Sequence, residues 1–106
     1  MRKARVFFGK MEAGVLKEDE NGYSFEYYDS YYNSNDAVPI SLTMPFSKKI
    51  WQEKTMPSFF DGLIPEGWLL MHTVNHWKID QRDRMGLLLA ACENCIGEVS
   101  IRKYDD

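Results

Sequence analysis

The sequence predicts an α+β fold: a small antiparallel β-sheet or partly closed barrel with about three helices packed on it. Over the first third, apolar residues alternate with polar ones between glycine and asparagine turn signals. From Met56 onward they recur at nearly every fourth position, which is the helical period. A closing run, "EVSIRKY", returns to alternation and supplies a last strand for the sheet.

Taken in order, "RVFFGK" and "AGVLKED" read as short strands joined at Gly9-Lys10, and Asn21-Gly22 in "ENG" marks a second hairpin turn. Tyr23, Phe25 and Tyr27 then alternate with Ser24 and Glu26, giving the third strand one aromatic and one polar face. "YDSYYNSNDAV", dense in Asn, Asp and Ser, reads as a surface loop. Pro39 and Pro45 bracket "ISLTM", whose alternating Ile40, Leu42 and Met44 predict a short strand. It belongs at a sheet edge, because proline cannot donate to a ladder.

Met56, Phe59, Phe60, Leu63 and Ile64 share one helical face, and Leu69, Met71, Val74 and Trp77 continue an apolar stripe beyond Pro65. Pro65 splits this stripe into two helices, since its ring lacks an amide hydrogen and biases Ile64 away from helical geometry. It suits the first position of the second helix, with Glu66 beside the positive end of the dipole. A third helix is expected to begin near Asp80, with Asp83 three positions later, and to run through "RMGLLLAACEN" until Asn94 to Gly97 stops it.

A chain of 106 residues, 44% apolar, makes one domain over residues 1–106 with a core that needs no disulfide or metal. The net charge is −3, and residues 12–36 hold seven acids against Lys17 alone, a field that repels phosphate and argues against nucleic acid. No run of 18 apolar residues spans a bilayer, and Gly9-Lys10 cuts the N-terminal apolar run short of a signal-peptide core. A cytoplasmic location follows as the expectation, with Cys92 and Cys95 reduced.

Chemistry-bearing patterns are thin. Cys92 and Cys95 have Cys-x2-Cys spacing, but they fall at the end of the predicted third helix, the wrong pole of the dipole for lowering a thiol pKa. His72 and His76 sit one helical turn apart and would complete four zinc ligands, yet their order is inverted relative to the common finger. No phosphate loop, nucleophile elbow or paired-carboxylate platform is present. The expectation is therefore no catalytic residue, no metal and no cofactor.

Large side chains are abundant: six tyrosines, six phenylalanines, three tryptophans and six methionines. Phe7, Phe25 and Phe60 are assigned to the core. "GWLLM" is apolar at four consecutive positions, so a helix turns at least one of them toward solvent, and Trp68 lies off the face that Leu69 and Val74 continue. Trp68 either covers the seam between the two helical pieces or protrudes as a binding anchor. The candidate partner-binding set is Asp61, Pro65, Glu66, Gly67 and Trp68.

Three segments in order, "PISLTMP" (39–45), "PSFFDGLIPEGW" (57–68) and "LLLAACENCIGEVSI" (87–101), resemble the N-terminal subdomain of HipA-type toxin kinases. That resemblance implies a small sheet opening with strand, glycine turn and strand, as "RVFFGKMEAGVL" reads. The catalytic and magnesium-binding residues that follow in such kinases have no counterpart in these 106 residues. The chain thus looks like a complete small protein and is similar to the HipS component of three-component HipBST toxin–antitoxin systems. By that likeness its partners are a HipT-like kinase, which it would neutralise, and a HipB-like DNA-binding protein. The alternatives are an accessory scaffold bridging kinase and HipB without inhibiting, or a fragment of a full-length HipA-type kinase.

Overall fold

The computed structural model describes residues 2–64, 83–91 and 98–104. Five antiparallel strands form one open sheet: β1 (Arg2–Phe8), β2 (Met11–Asp19), β3 (Gly22–Tyr27), β4 (Ile50–Glu53) and β5 (Val99–Lys103), in the order β4-β3-β2-β1-β5. Helices α1 (Asp29–Tyr32), α2 (Ser58–Asp61) and α3 (Arg84–Ala91) accompany it. The architecture is the α+β one predicted, and among the described residues the strands form an open sheet with β4 and β5 outermost rather than a barrel.

The β1–β2 turn is possible because Gly9 takes a φ of 61°, where a side chain is disfavoured. The β2–β3 turn is centred on Glu20-Asn21, one residue earlier than the Asn-Gly pair suggests. Asp19 pairs with Gly22, and the Asn21 amide donates to the Asp19 carboxylate at 2.8 Å. The β1–β2 register slips between Val6 and Phe7 of β1, so Ala13 of β2 is an extra residue opposite them. This bulge lets Ala13, Gly14 and Leu16 all be buried. Gly14 faces Tyr27 across the ladder, and a methyl group there would lie 2.3 Å from the Glu26 carbonyl oxygen.

One face of the sheet carries the core. Ala4 and Val6 of β1, Leu16 of β2, Phe25 and Tyr27 of β3 and Ile101 of β5 are fully buried there, with Phe60, Met85, Leu87 and Leu88 from the helices. Phe25 meets Phe60 at 5.4 Å between centroids, so α2 docks on this face at β3. Phe7 is not part of it. Alternation puts Ala4, Val6 and Phe8 inward, and Phe7 stands on the opposite face between the guanidinium groups of Arg5 (5.1 Å) and Arg102 (5.0 Å).

Two segments differ from the expectation. "YDSYYNSNDAV" contains the single turn α1, and Tyr31 is only 2% exposed. "ISLTM" is no strand. Its backbone turns, with the Met44 amide donating to the Ser41 carbonyl at 3.1 Å and the Thr43 amide to Ser41 Oγ at 3.1 Å. Ile40 and Met44 point inward because the chain reverses between them, and Leu42 at the apex is 99% exposed. A turn between two inward anchors thus mimics the period of a strand. The short strand β4 has no comparable signature, because only Trp51 packs against the core while Ile50 is exposed.

The segment between α1 and β4 lacks a ladder and is held instead by tyrosine hydroxyls. Tyr27 donates to the Met44 carbonyl at 2.5 Å and accepts from the Ile40 amide at 3.1 Å. Tyr31 donates to the Val38 carbonyl at 2.5 Å, and Tyr32 to the Phe46 carbonyl at 2.5 Å. Burial pushes the Tyr27 phenol up to about 12, so it remains a donor at any physiological pH.

Replacing Tyr27 with Phe keeps the ring and strands two buried backbone groups. The expected loss is about 1–3 kcal/mol. A lower urea midpoint at unchanged slope would show it, whereas an unchanged midpoint would mean that the hydroxyl holds nothing.

Candidate functional site

The partner-binding set predicted from sequence lies around the chain break at Pro65. Of its members, Asp61 is described, and Pro65, Glu66, Gly67 and Trp68 lie outside the described residues, as do His72, His76, Asp80, Cys92 and Cys95. The structure therefore defines the approach to the corner. Pro57 precedes α2, and the Asp61 and Gly62 amides donate to the Pro57 and Ser58 carbonyls. The next two bonds shorten their span, from the Leu63 amide to the Phe60 carbonyl and from the Ile64 amide to the Asp61 carbonyl. Helix α2 has ended at Asp61, and this tighter turn carries the chain on through Ile64.

Phe60 and Ile64 are buried at 0% and 2% exposure, and Phe59 and Leu63 pack partly against the same cluster. The carboxylate of Asp61 faces α3 and accepts from Arg84 Nε at 2.7 Å. Asp61 is thus already engaged in joining α2 to α3. The chain entering Pro65 is fixed by apolar burial on one side and by this ion pair on the other.

Helix α3 is tied to the sheet at its own start. Asp83 stands immediately before α3 and accepts the Gly86 amide at 3.1 Å, the capping role expected of an aspartate there. The same carboxylate receives both terminal nitrogens of Arg2, at 3.0 and 2.6 Å, and Arg2 Nε donates to Glu18 at 2.7 Å. Tyr23 completes the network by donating to Glu18 at 3.0 Å, and burial, then Glu18, pushes its phenol up to about 12. The Arg2 hydrogen bonds hold Asp83 below the usual aspartate value, and Asp83 and Glu18 hold Arg2 above the usual arginine value. No local pattern reveals this network, because its residues are 16 and 81 positions apart.

The opposite face of the sheet bears Lys3, Arg5, Phe7, Glu12, Val15, Lys17 and Arg102. Arg5 donates to Glu12 at 2.8 Å, which holds the Glu12 carboxyl below its ordinary value. Lys3 lies 5.5 Å from the Tyr104 ring centroid. Among the described residues no group of three or more His, Cys, Asp or Glu side chains is placed to hold a metal. Among them, too, no helix is long and apolar enough to cross a membrane.

A five-stranded antiparallel sheet with short helices packed on one face defines the class as a small α+β domain. A family model described as HipA N-terminal domain matches residues 4–102. The chain belongs to the HipA N-terminal domain family, and so to the components of HipA-related toxin–antitoxin systems. It is similar to an uncharacterized protein of Haemophilus influenzae, 33% identical over 103 residues, covering 97% of this chain and 93% of that protein. Among solved structures it is similar to the N-terminal domain of HipA toxin, at 29% identity and a TM-score of 0.78, covering 100% of this chain and 95% of that one. The likeness is to the N-terminal subdomain, not to the catalytic domain of a kinase.

Since Asp83 titrates lower in the folded chain than in the unfolded one, its contribution is complete above the ordinary aspartate pKa, near about 3.9, and is lost as the pH falls through the lower folded value. Thermal midpoints measured from pH 6 down to 2 should fall less steeply for Asp83→Asn than for the wild type. Identical slopes would show that the Arg2 pairing contributes nothing to folding.

Proposed function

We propose that this chain, as a single unit over residues 1–106, is a HipS-like antitoxin. It binds a HipA-like Ser/Thr kinase toxin, HipT, and inhibits it within a three-component toxin–antitoxin system that also contains a HipB-like DNA-binding protein. The observation that carries this reading is the extent of the family match, residues 4–102, together with a relative of which the match spans 93%.

The chemistry fits a binder. It acts in the cytoplasm by contact, without catalysis and without a cofactor. A subdomain that packs on a kinase within one chain has a face for that kinase, and as a separate chain it brings the same face to its partner. The residues proposed to make this contact are Pro65, Glu66, Gly67 and Trp68, together with Asp61, whose carboxylate accepts from Arg84 of α3. The burial of Phe60 and Ile64 supports this, because it fixes the chain up to the residue before Pro65. A tryptophan at the kinase contact can obstruct nucleotide, protein substrate or lobe closure, each of which prevents the catalytic geometry from assembling.

The test is growth of cells expressing the HipA-type kinase encoded next to this chain, together with the wild type, Trp68→Ala, or a variant with Cys92 and Cys95 both changed to serine. Rescue is expected from the wild type and the cysteine variant. Trp68→Ala, shown to be folded, should lose it, since anchors of this kind typically contribute about 2 kcal/mol or more. Failure of the wild type to rescue overturns the antitoxin reading; rescue by all three keeps it and removes Trp68 as the anchor.

A further inference from the structure

The face of the sheet opposite the core gathers cations that the sequence scatters. Lys3 and Arg5 come from β1, Lys17 from β2 and Arg102 from β5. Lys3 stands directly opposite Lys17, and Arg5 directly opposite Arg102. Cross-strand partners are only about 5 Å apart at Cα, and like charges in that relation destabilise a ladder. The chain carries 16 acidic side chains against 13 basic ones, so two cation pairs on three adjacent strands are a concentration that composition does not supply. Of the four, Arg5 alone is paired with a carboxylate among the described residues, through Glu12. Lys3 lies against the Tyr104 ring and Arg102 against Phe7, contacts that orient both cations and leave their charge in place.

The same face holds a cleft of about 230 Å³, where Lys3 and Lys17 meet Val15, Glu26, Tyr28 and Tyr104. Burial, then Glu12, pushes the Tyr28 phenol up, so it adds no negative charge there at physiological pH. Carboxylates bound the cationic patch: Glu26 is the partner of Val15 across the β2–β3 ladder, Glu12 accepts from Arg5 at 2.8 Å, and Asp19 follows two residues after Lys17. A long polyanion laid across the face runs onto these acids, whereas a compact anion sits between them. A single carboxylate brings one charge to three cations. A phosphate-class group brings two or more, with several oxygens to accept from separate donors.

We infer that the outer face of the sheet holds a site for a compact, multiply charged oxyanion of the phosphate class, bound by Lys3, Lys17 and Arg102 beside Tyr104. The site is independent of the proposed antitoxin function. Such an anion supplies the counter-charge that the ladder lacks, so its binding also stabilises the sheet.

The full chain is titrated at constant ionic strength with pyrophosphate, ADP, a tri-glutamate peptide and a ten-nucleotide single-stranded DNA, with thermal midpoints and backbone amide NMR shifts as readouts. Pyrophosphate at about tenfold above its Kd should raise the midpoint by several degrees and shift the amides around Lys3, Lys17 and Arg102. Lys17→Gln and Arg102→Gln should each bind it about fivefold more weakly. Without ligand, both variants should melt at or slightly above the wild type, because each removes half of a like-charged pair; lost affinity then does not reflect a lost fold. ADP bound as tightly as pyrophosphate supports a diphosphate carried on a larger molecule, and weaker binding supports a free one. Undiminished affinity in both variants, or a midpoint shift no larger than sodium chloride produces at the same ionic strength, overturns the site. Tighter binding of the peptide or of the DNA than of pyrophosphate overturns the ligand class, and assigns the face to an acidic protein segment or to nucleic acid respectively.

Discussion

The phenol of Tyr27 joins two parts of the protein that would otherwise have no reason to stay together. Its ring is fully buried and packs edge-on against Phe25 at 4.9 Å, Phe46 at 5.0 Å and Trp51 at 5.7 Å, while Tyr31 stacks at 6.1 Å. Its hydroxyl bonds to the backbone at both stems of the turn that carries Leu42. A long connection outside any ladder would leave buried backbone groups unpaired. Here phenols from β3 and α1 supply the partners, and the loop becomes a fixed cover over one end of the sheet.

Polar chemistry does the corresponding work at the other end. Arg2, Glu18, Tyr23 and Asp83 bind the first strand to the start of α3, and Arg84, the next residue, reaches Asp61 at the end of α2. Exposed ion pairs are individually weak, often below about 1 kcal/mol. The two-pronged Arg2–Asp83 contact is better placed than most, because the carboxylate also caps the helix. Between the two ends the apolar face does the bulk of the stabilising, and charge and phenol geometry decide how α3 and the loop sit on it. The orientation of the chain leading into Pro65 depends on both.

Much of the sheet was legible from the sequence. The hairpins follow from Gly9 and the Asn21-Gly22 region, and the buried faces of β3 and β5 follow from Phe25, Tyr27, Val99 and Ile101 at alternate positions. Misreadings arose where a local pattern has two physical solutions. Ile40, Leu42 and Met44 have strand spacing, yet the prolines and Ser41 favour a turn that buries the outer two. Phe7 is as apolar as Phe8, and only the register with Gly14 and Ile101 assigns the inward place to Val6. Tyr31 sits among turn-forming residues, and its burial depends on a loop that the sequence alone does not fold back. Of the candidate site, Asp61 is the member whose surroundings are described, and its pairing with Arg84 joins two helices that no short-range signal connects.

These restraints have a common consequence for binding. Association costs a chain freedom of motion, and each loop or long side chain that must be ordered at an interface adds to that cost. In this chain the ordering is done in advance at Leu42, by Tyr27 and by the turn's own hydroxyls, and at the entry to Pro65, by Phe60, Ile64 and the Asp61–Arg84 pair. The same aromatic rings, Phe25 against Tyr27 at 4.9 Å and against Phe60 at 5.4 Å, tie the loop and α2 to one face of the sheet.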